Sequence, residues 1–410
     1  MRCETTYISP EEAVRLLFQR VKPPVDRETA ALPDTSGRVL AEDLYAALDQ
    51  PPFDRSPLDG YAVQARDTAD AGEAHPVSLR VVDDLPAGTP PGRAVGPGEA
   101  ARIMTGAPVP PGADCVVRQE DTDCGKETVR IYVPHRAGQN ICRKGEDFQA
   151  GRLLLQKGEA LNAVRIGTLA SMGKTEVSVF RRPRIGILTT GDELVDLGGR
   201  LAPGKIYNSN QYTLAARVRE LGGEAMVSPP CPDRVEKLAA AVDRAAAPAD
   251  LLITTGGVSV GERDCMPEVQ ERLRGQPVFK GIQIKPGAPA MAFVHRETLV
   301  LCLSGNPFAA AATFELLARP LFPLLRGERD CTPSLPRASG VLRNCFPKAS
   351  PGRRFIRGFW DGRNVFLPHK NEAGHSSGVL SSMMRCNCLV DIPAGSPPLP
   401  EGTPVEVVLL

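Results

Sequence analysis

Aromatic side chains are scarce in this 410-residue chain, at 5% of the total. Such thinness argues against a surface that stacks single-stranded nucleic acid, which needs ring faces in succession. Excess charge of one sign is also missing. The formal net charge is +1, so the chain offers neither the basic footprint of a nucleic-acid binder nor that of a membrane-surface protein. No apolar run approaches the ~20 residues that a transmembrane helix needs. The N-terminus carries Glu4, Glu11 and Glu12 and lacks the apolar core of a signal peptide, so a cytoplasmic location is expected. Cysteine is present, but eleven is an odd number without a framework spacing. No CxxC pair or histidine cluster completes a zinc site, and reduced thiols in small core positions are expected.

Hydrophobic residues make up 42% and charged residues 24%, ordinary values for a globular chain with real cores. The length suggests about two to four domains. Ser9-Pro10-Glu11-Glu12 reads as a capping box, with Ser9 as N-cap and Glu12 reaching back. Val14, Leu17, Phe18 and Val21 follow at helical spacing until Pro23-Pro24. A mixed N-terminal domain is therefore expected over 1–50, resuming over 146–181, with a small β domain inserted at 51–145. Short β-like runs there (Val77–Val82, Cys115–Arg118, Val129–Val133) alternate with proline and glycine turns. From 182 to 329 strands alternate with helices, which predicts a parallel-type sheet covered on both faces. Its helices are expected at Tyr212–Leu221, after a second capping box at Asp233–Glu236, at Cys265–Arg274 and at Phe308–Leu317. Short strands return over 330–410 as a C-terminal β domain. The fold class is α/β plus β.

The most informative stretch is LLITTGGVSVGERD, residues 251–264. Leu251, Leu252 and Ile253 form the all-apolar strand of a sheet buried on both sides. Gly256, Gly257 and Gly261 permit a sharp turn close to a ligand. Thr254, Thr255 and Ser259 offer hydroxyls, and Asp264 precedes a helix. The pattern suits a phosphate on exposed backbone N–H groups, or a plain βα turn in which Asp264 caps the helix. Two more strands end in Thr189-Thr190-Gly191-Asp192-Glu193 and in Ser304-Gly305-Asn306-Pro307. All three lie on the rim where open α/β sheets bind ligands. Carboxylates beside a phosphate repel it unless a divalent cation intervenes, and Mg²⁺ prefers those oxygens. Lys285, in Gly281-Ile282-Gln283-Ile284-Lys285-Pro286-Gly287, would supply positive charge, or is an exposed turn lysine. In the first half, the loops at 53–62 and 103–112 are proline-broken turns, poor in core residues, of the kind that carries function.

Read together, these segments resemble the molybdopterin molybdenumtransferase family, the MoeA proteins and the E domain of gephyrin. The matching stretches are FDRSPLDGYAV at 53–63, RIMTGAPVPPGADCVV at 102–117 and GED at 145–147. They continue with TTGDEL at 189–194, NSNQYTLAA at 208–216, TTGGVSVGERD at 254–264, IKPG at 284–287 and SGNP at 304–307. The resemblance implies a four-domain subunit with a MogA-like α/β domain, in a homodimer whose cleft is shared between subunits. It implies Mg²⁺-dependent insertion of molybdate into adenylated molybdopterin with release of AMP, and contact with the upstream adenylating enzyme. A tungstate-inserting variant or a non-catalytic molybdopterin-binding paralogue is the alternative. Carried over by position, Asp59, Glu193 and Asp264 are the catalytic candidates, with Glu193 and Asp264 on the metal. Thr105, Gly106, Asp147, Asp233, Thr255, Gly256, Gly257, Ser259, Lys285, Pro286, Gly305, Asn306 and Pro307 are the substrate-binding candidates. Arg357, Ser381 and Ser382 look like the oxyanion contacts.

Two departures from the family pattern stand out. The usual KPGKP reads Lys285-Pro286-Gly287-Ala288-Pro289, without its second lysine. The usual PGNPVS reads Ser304-Gly305-Asn306-Pro307-Phe308-Ala309, without its hydroxyl. Each lost charge-assisted contact would weaken oxyanion binding by ~1.5–3 kcal/mol.

Overall fold

A computed structural model describes residues 7–258, 265–368 and 377–410. The chain divides into two compact units. One comprises Met1–Ala41, Gly158–Asn162 and Val177–Leu410, and the other Glu42–Lys157 and Ala163–Glu176. Residues 7–41 of the expected N-terminal domain thus pack with the α/β region, while most of its remainder packs with the inserted β domain.

The first unit is organised by a six-stranded sheet. Its strands run in the order Glu224–Val227, Arg184–Thr189, Leu251–Thr255, Thr298–Leu303, Met291–His295 and Gln276–Lys280. The first four are mutually parallel, and the last two close one edge as an antiparallel meander. Alternation along the central strands separates two cores. Ile185, Ile187, Leu251, Ile253, Leu299 and Leu301 share one cluster with Ala13, Val14 and Leu17 of the N-terminal helix Pro10–Phe18. Leu188, Leu252, Val300 and Cys302 share the other with Leu238 and Val242 of the helix Val235–Ala246 and Met266 and Val269 of Cys265–Arg272. An all-apolar central strand is what burial on both faces requires. Each such side chain contributes roughly 1.5–3 kcal/mol.

The helix signals hold in part. Ser9 caps its helix by accepting from the Glu12 backbone N–H at 3.1 Å. The Glu12 carboxylate turns instead to Arg15, at 2.6 and 2.8 Å, so the capping box is half-formed. The helix expected from Tyr212 begins at Ser209, behind Asn208 as N-cap. The helix expected at Phe308–Leu317 runs as Pro307–Thr313 and widens into a π-turn over Phe314–Ala318. The stretch Pro307–Arg326 has the length and apolarity to cross a membrane, but its most apolar 18-residue window is 83% buried within the protein.

The same unit carries a closed C-terminal barrel of five strands. They are Arg337–Leu342, Asn364–Phe366, Arg354–Trp360, Cys388–Ile392 and Pro404–Leu409. Lys285 joins the barrel to the α/β domain by backbone. Its N–H donates to the Arg353 carbonyl at 3.0 Å, and its carbonyl accepts from Phe355 at 2.9 Å.

The second unit is built on a five-stranded sheet in the order Cys115–Arg118, Gly60–Val63, Glu99–Ile103, Val77–Leu85 and Thr128–Ile131. Tyr61, Val63, Ala100, Val117 and Ile131 fill one core, and Ala62, Ala101, Ile103 and Val116 another.

Candidate active site

In the α/β domain, chain order along the sheet reverses between Arg184–Thr189 and Leu251–Thr255. The former connects outward to Glu224–Val227 at one edge, and the latter leads through the helix Cys265–Arg272 to Gln276–Lys280 at the opposite edge. Such a switch point opens a crevice outside the strands' C-terminal ends. The loops expected to bind ligand meet there. The Thr190 N–H donates to the Thr255 carbonyl at 2.9 Å, and the Gly256 N–H to the Leu303 carbonyl at 3.1 Å. Gly256 has φ +99°, and a Cβ there would lie 2.3 Å from the Thr190 carbonyl oxygen. Only glycine lets these loops close on each other.

The acids of this rim are held differently. Asp233 Oδ1 accepts from the Thr190 hydroxyl at 2.5 Å. Its helix is left with Arg234 at the N-cap and no side-chain cap bond, so the second capping box does not form. Glu193 is exposed and folds back over Gly191, where an added Cβ would lie 2.7 Å from both carboxylate oxygens. The neighbouring Asp192 carbonyl accepts from Lys205. Ser259, Gly261 and Asp264 lie outside the described residues. Among the described residues no three His, Cys, Asp or Glu side chains cluster as a metal site. Glu193 nevertheless suits Mg²⁺, which binds through one or two carboxylates and keeps several waters.

Beside this rim lies a cavity of 640 Å³. Lys285, Arg354 and Arg357 line it, with Ser304, Asn306 and Ser377. Among the described residues that line it there is no carboxylate, so the described lining carries net positive charge. Pro286, Ala288 and Ala309 also face it, so both departures from the family pattern fall on its wall. The turn bearing Lys285 is pressed against the helix Pro307–Thr313. At Gly287, with φ +94°, a Cβ would come within 2.1 Å of the Thr313 methyl. Arg357 is 1% exposed. One of its terminal nitrogens donates to the Val379 carbonyl at 3.0 Å, and its guanidinium carbon stands 4.0 Å from the Phe308 ring centroid. Burial lowers its pKa from the ordinary arginine value.

Ser381 and Ser382 do not line the cavity. The Ser382 hydroxyl donates to the Val379 carbonyl at 3.0 Å. Ser377 occupies the wall instead, its carbonyl accepting from the Phe308 N–H at 2.9 Å. The sequence does not single out Ser377, because nothing local distinguishes it; a backbone bond to the distant Phe308 holds it. Gly305 and Pro307 belong to the third loop, where the Gly305 carbonyl accepts from Asn210 at 2.8 Å. Thr255 is buried at the strand end, and the Gly257 carbonyl accepts from Met266 at 3.1 Å.

In the other unit, the two proline-broken loops form one surface. Asp59 Oδ1 accepts from both the Thr105 N–H and the Thr105 hydroxyl, each at 2.7 Å. Chiefly the N–H, and then the hydroxyl, hold the Asp59 carboxyl below the usual carboxylate range. The Gly106 N–H donates to the Ser56 carbonyl at 2.8 Å, and the Ser56 N–H donates to the Ala107 carbonyl at 3.0 Å. Asp147 is exposed, anchored by its N–H on the Gln50 carbonyl at 2.9 Å.

The MoeA N-terminal region (domain I and II) matches residues 8–173, a probable molybdopterin-binding domain matches 186–324, and the MoeA C-terminal region (domain IV) matches 339–410. The chain belongs to the molybdopterin molybdenumtransferase family, enzymes of molybdenum cofactor biosynthesis. The molybdopterin molybdenumtransferase of Bacillus subtilis (strain 168) is 37% identical over 99% of this chain and 94% of its own length. That of Staphylococcus aureus (strain COL) is 35% identical over 93% of this chain and 90% of its own. A crystal structure of a MoeA protein from Pyrococcus horikoshii superposes with a TM-score of 0.82 at 34% identity, covering 98% of this chain and 99% of that one. These family members share the MoeA domain layout, including the MogA-like α/β domain within it.

Proposed function

We propose that this molybdenumtransferase inserts molybdate into adenylated molybdopterin, releasing AMP, with Mg²⁺ as the required ion. The observation that carries the reading is the cavity lined by Lys285, Arg354 and Arg357, with no carboxylate among its described lining residues, next to the glycine loop. An oxyanion needs such a cavity, and a phosphate needs such a loop. In this reading Gly256 and Gly257, with Thr255, Gly305, Asn306 and Pro307 around them, receive the nucleotide and pterin phosphate, and Ser259 is assigned to the same task from the sequence alone. Lys285, Arg357 and Ser377 hold molybdate beside them. Pro286 shapes the turn that presents Lys285.

AMP is released when an oxygen nucleophile attacks the phosphoanhydride and its P–O bond breaks. The barrier falls through positioning and through charge placed where negative charge develops. Bound Mg²⁺, held by Glu193 and Asp264, would neutralise phosphate charge. Asp233 keeps the Thr190 loop in place, and Asp59, anionic and held by Thr105, orients the attacking oxygen. Asp147 and Gly106 complete that second surface. We assign the enzyme to a homodimer in which loops of one subunit face the α/β domain of the other, fed by the upstream adenylating enzyme in the cytoplasm.

The test is AMP release from adenylated molybdopterin with Mg²⁺, titrating molybdate and tungstate in parallel. Release at micromolar molybdate is the expected result. Release with tungstate alone would make this a tungsten-cofactor enzyme. No release with either oxyanion, despite pterin binding, would overturn the proposal.

A further inference from the structure

We infer that Phe308 is a positioning residue of the oxyanion site, holding Arg357 and Ser377 together against the cavity. This rests on the functional reading above. Arg357 is among the most deeply buried large side chains of the chain, and a buried cation must be compensated where it stands. The Val379 carbonyl takes one N–H. The face of the Phe308 ring, 4.0 Å from the guanidinium carbon, supplies further compensation, since the ring quadrupole attracts a cation strongly once water is excluded. The same residue's backbone N–H holds the Ser377 carbonyl at 2.9 Å. Ring and backbone of Phe308 therefore fix two anion-facing groups that arrive on separate segments of the C-terminal domain.

The placement also bears on Ala288 and Ala309. Neither alanine offers a side-chain donor to an anion, so more of the side-chain binding falls to the cations, Arg357 among them. The family pattern carries valine where this chain has Phe308. A valine would leave the backbone bond to Ser377 intact and give Arg357 no ring to stand on. The aromatic side chain thus makes Arg357, one of the cations on the cavity wall, rigid.

Calorimetric titration of molybdate into the full-length protein tests this. Phe308 is replaced site-specifically by 4-fluoro-, 3,5-difluoro- and 3,4,5-trifluorophenylalanine, and separately by leucine (F308L). Fluorine drains the ring face of negative potential with little change of shape. The expected result is a stepwise weakening across the series reaching about tenfold, about 1.4 kcal/mol, with F308L at least as weak and melting temperatures of the fluorinated proteins near wild type. A flat fluorine series overturns the inference even if F308L binds poorly, because a purely packing role depends on shape alone. Should the wild-type protein itself take up neither molybdate nor tungstate, the functional reading fails and this inference with it. Wild-type binding with a flat series sinks only the role of Phe308.

Discussion

The Thr190 hydroxyl donates to Asp233 Oδ1 at 2.5 Å, tying the end of one strand to the loop ahead of a helix. Two backbone bonds reinforce the tie, Cys231 N–H to the Thr189 carbonyl at 2.8 Å and Gly191 N–H to the Cys231 carbonyl at 3.1 Å. Asp233 stands where a helix cap is expected, and a cap is worth about 1 kcal/mol. The helix forgoes it. A residue that satisfies a local rule on paper and serves a distant loop in the fold marks a site where positioning outweighs local stability.

Thr190→Val tests that trade. The variant keeps its shape, loses the hydroxyl, and leaves the half-buried Asp233 short of one donor. We expect a stability loss of about 1–3 kcal/mol, read by urea unfolding, and a fall in AMP release of at least tenfold. Full activity with lowered stability would reduce the bond to scaffolding.

Gly256→Ala is expected to be worse than its size suggests. Its φ of +99° is disfavoured for alanine, and the added Cβ would meet the Thr190 carbonyl at 2.3 Å. Backbone strain of about 1–3 kcal/mol follows, and relief would require the two loops to part. Unfolding should shift to lower denaturant, and AMP release should fall below detection. Wild-type kinetics in this variant would show that the loops need not close.

Much of the fold and the site is legible in the order of the amino acids. Leu251–Ile253 signals a doubly covered strand because three consecutive apolar residues have no solvent face to offer, and they fill two separate cores. The loops at 53–62 and 103–112 read as candidate site loops because prolines break both and the first holds Asp54 and Asp59, where a core wants neither. Local signals fail where partners are remote. Asp233 prefers Thr190, 43 residues away in the chain, to its own helix terminus. Ser377 escapes notice for the same reason, since its place is set by Phe308 across the fold.

The pH dependence of AMP release should expose Asp59. Its carboxyl is held below the usual range, first by the Thr105 N–H and then by the Thr105 hydroxyl. A depressed pKa keeps the group anionic, and its contribution is lost only as pH falls through that lowered value. Thr105→Val removes the hydroxyl and keeps the N–H, so the pKa rises part of the way back. The acidic limb of the rate profile should therefore move to higher pH in Thr105→Val, and Asp59→Asn should abolish release at every pH. An unmoved limb would show that another group governs it.

The cavity's charge sets how tightly molybdate is held. Lys285 is the exposed cation on its wall, and a charge-assisted hydrogen bond contributes about 1.5–3 kcal/mol. Lys285→Gln should therefore raise the half-saturating molybdate concentration by roughly tenfold to a hundredfold. Ala288 faces the same cavity three residues on. A lysine placed there adds a second mobile cation where no carboxylate among the described lining residues competes for it, so Ala288→Lys should lower that concentration by about tenfold. In the double variant the two changes should partly cancel, because each adds or removes one positive charge around the same ion. If Ala288→Lys left molybdate affinity unchanged while Lys285→Gln weakened it, the oxyanion would sit beyond reach of position 288. The three cations among the described lining residues would then suffice for this chain.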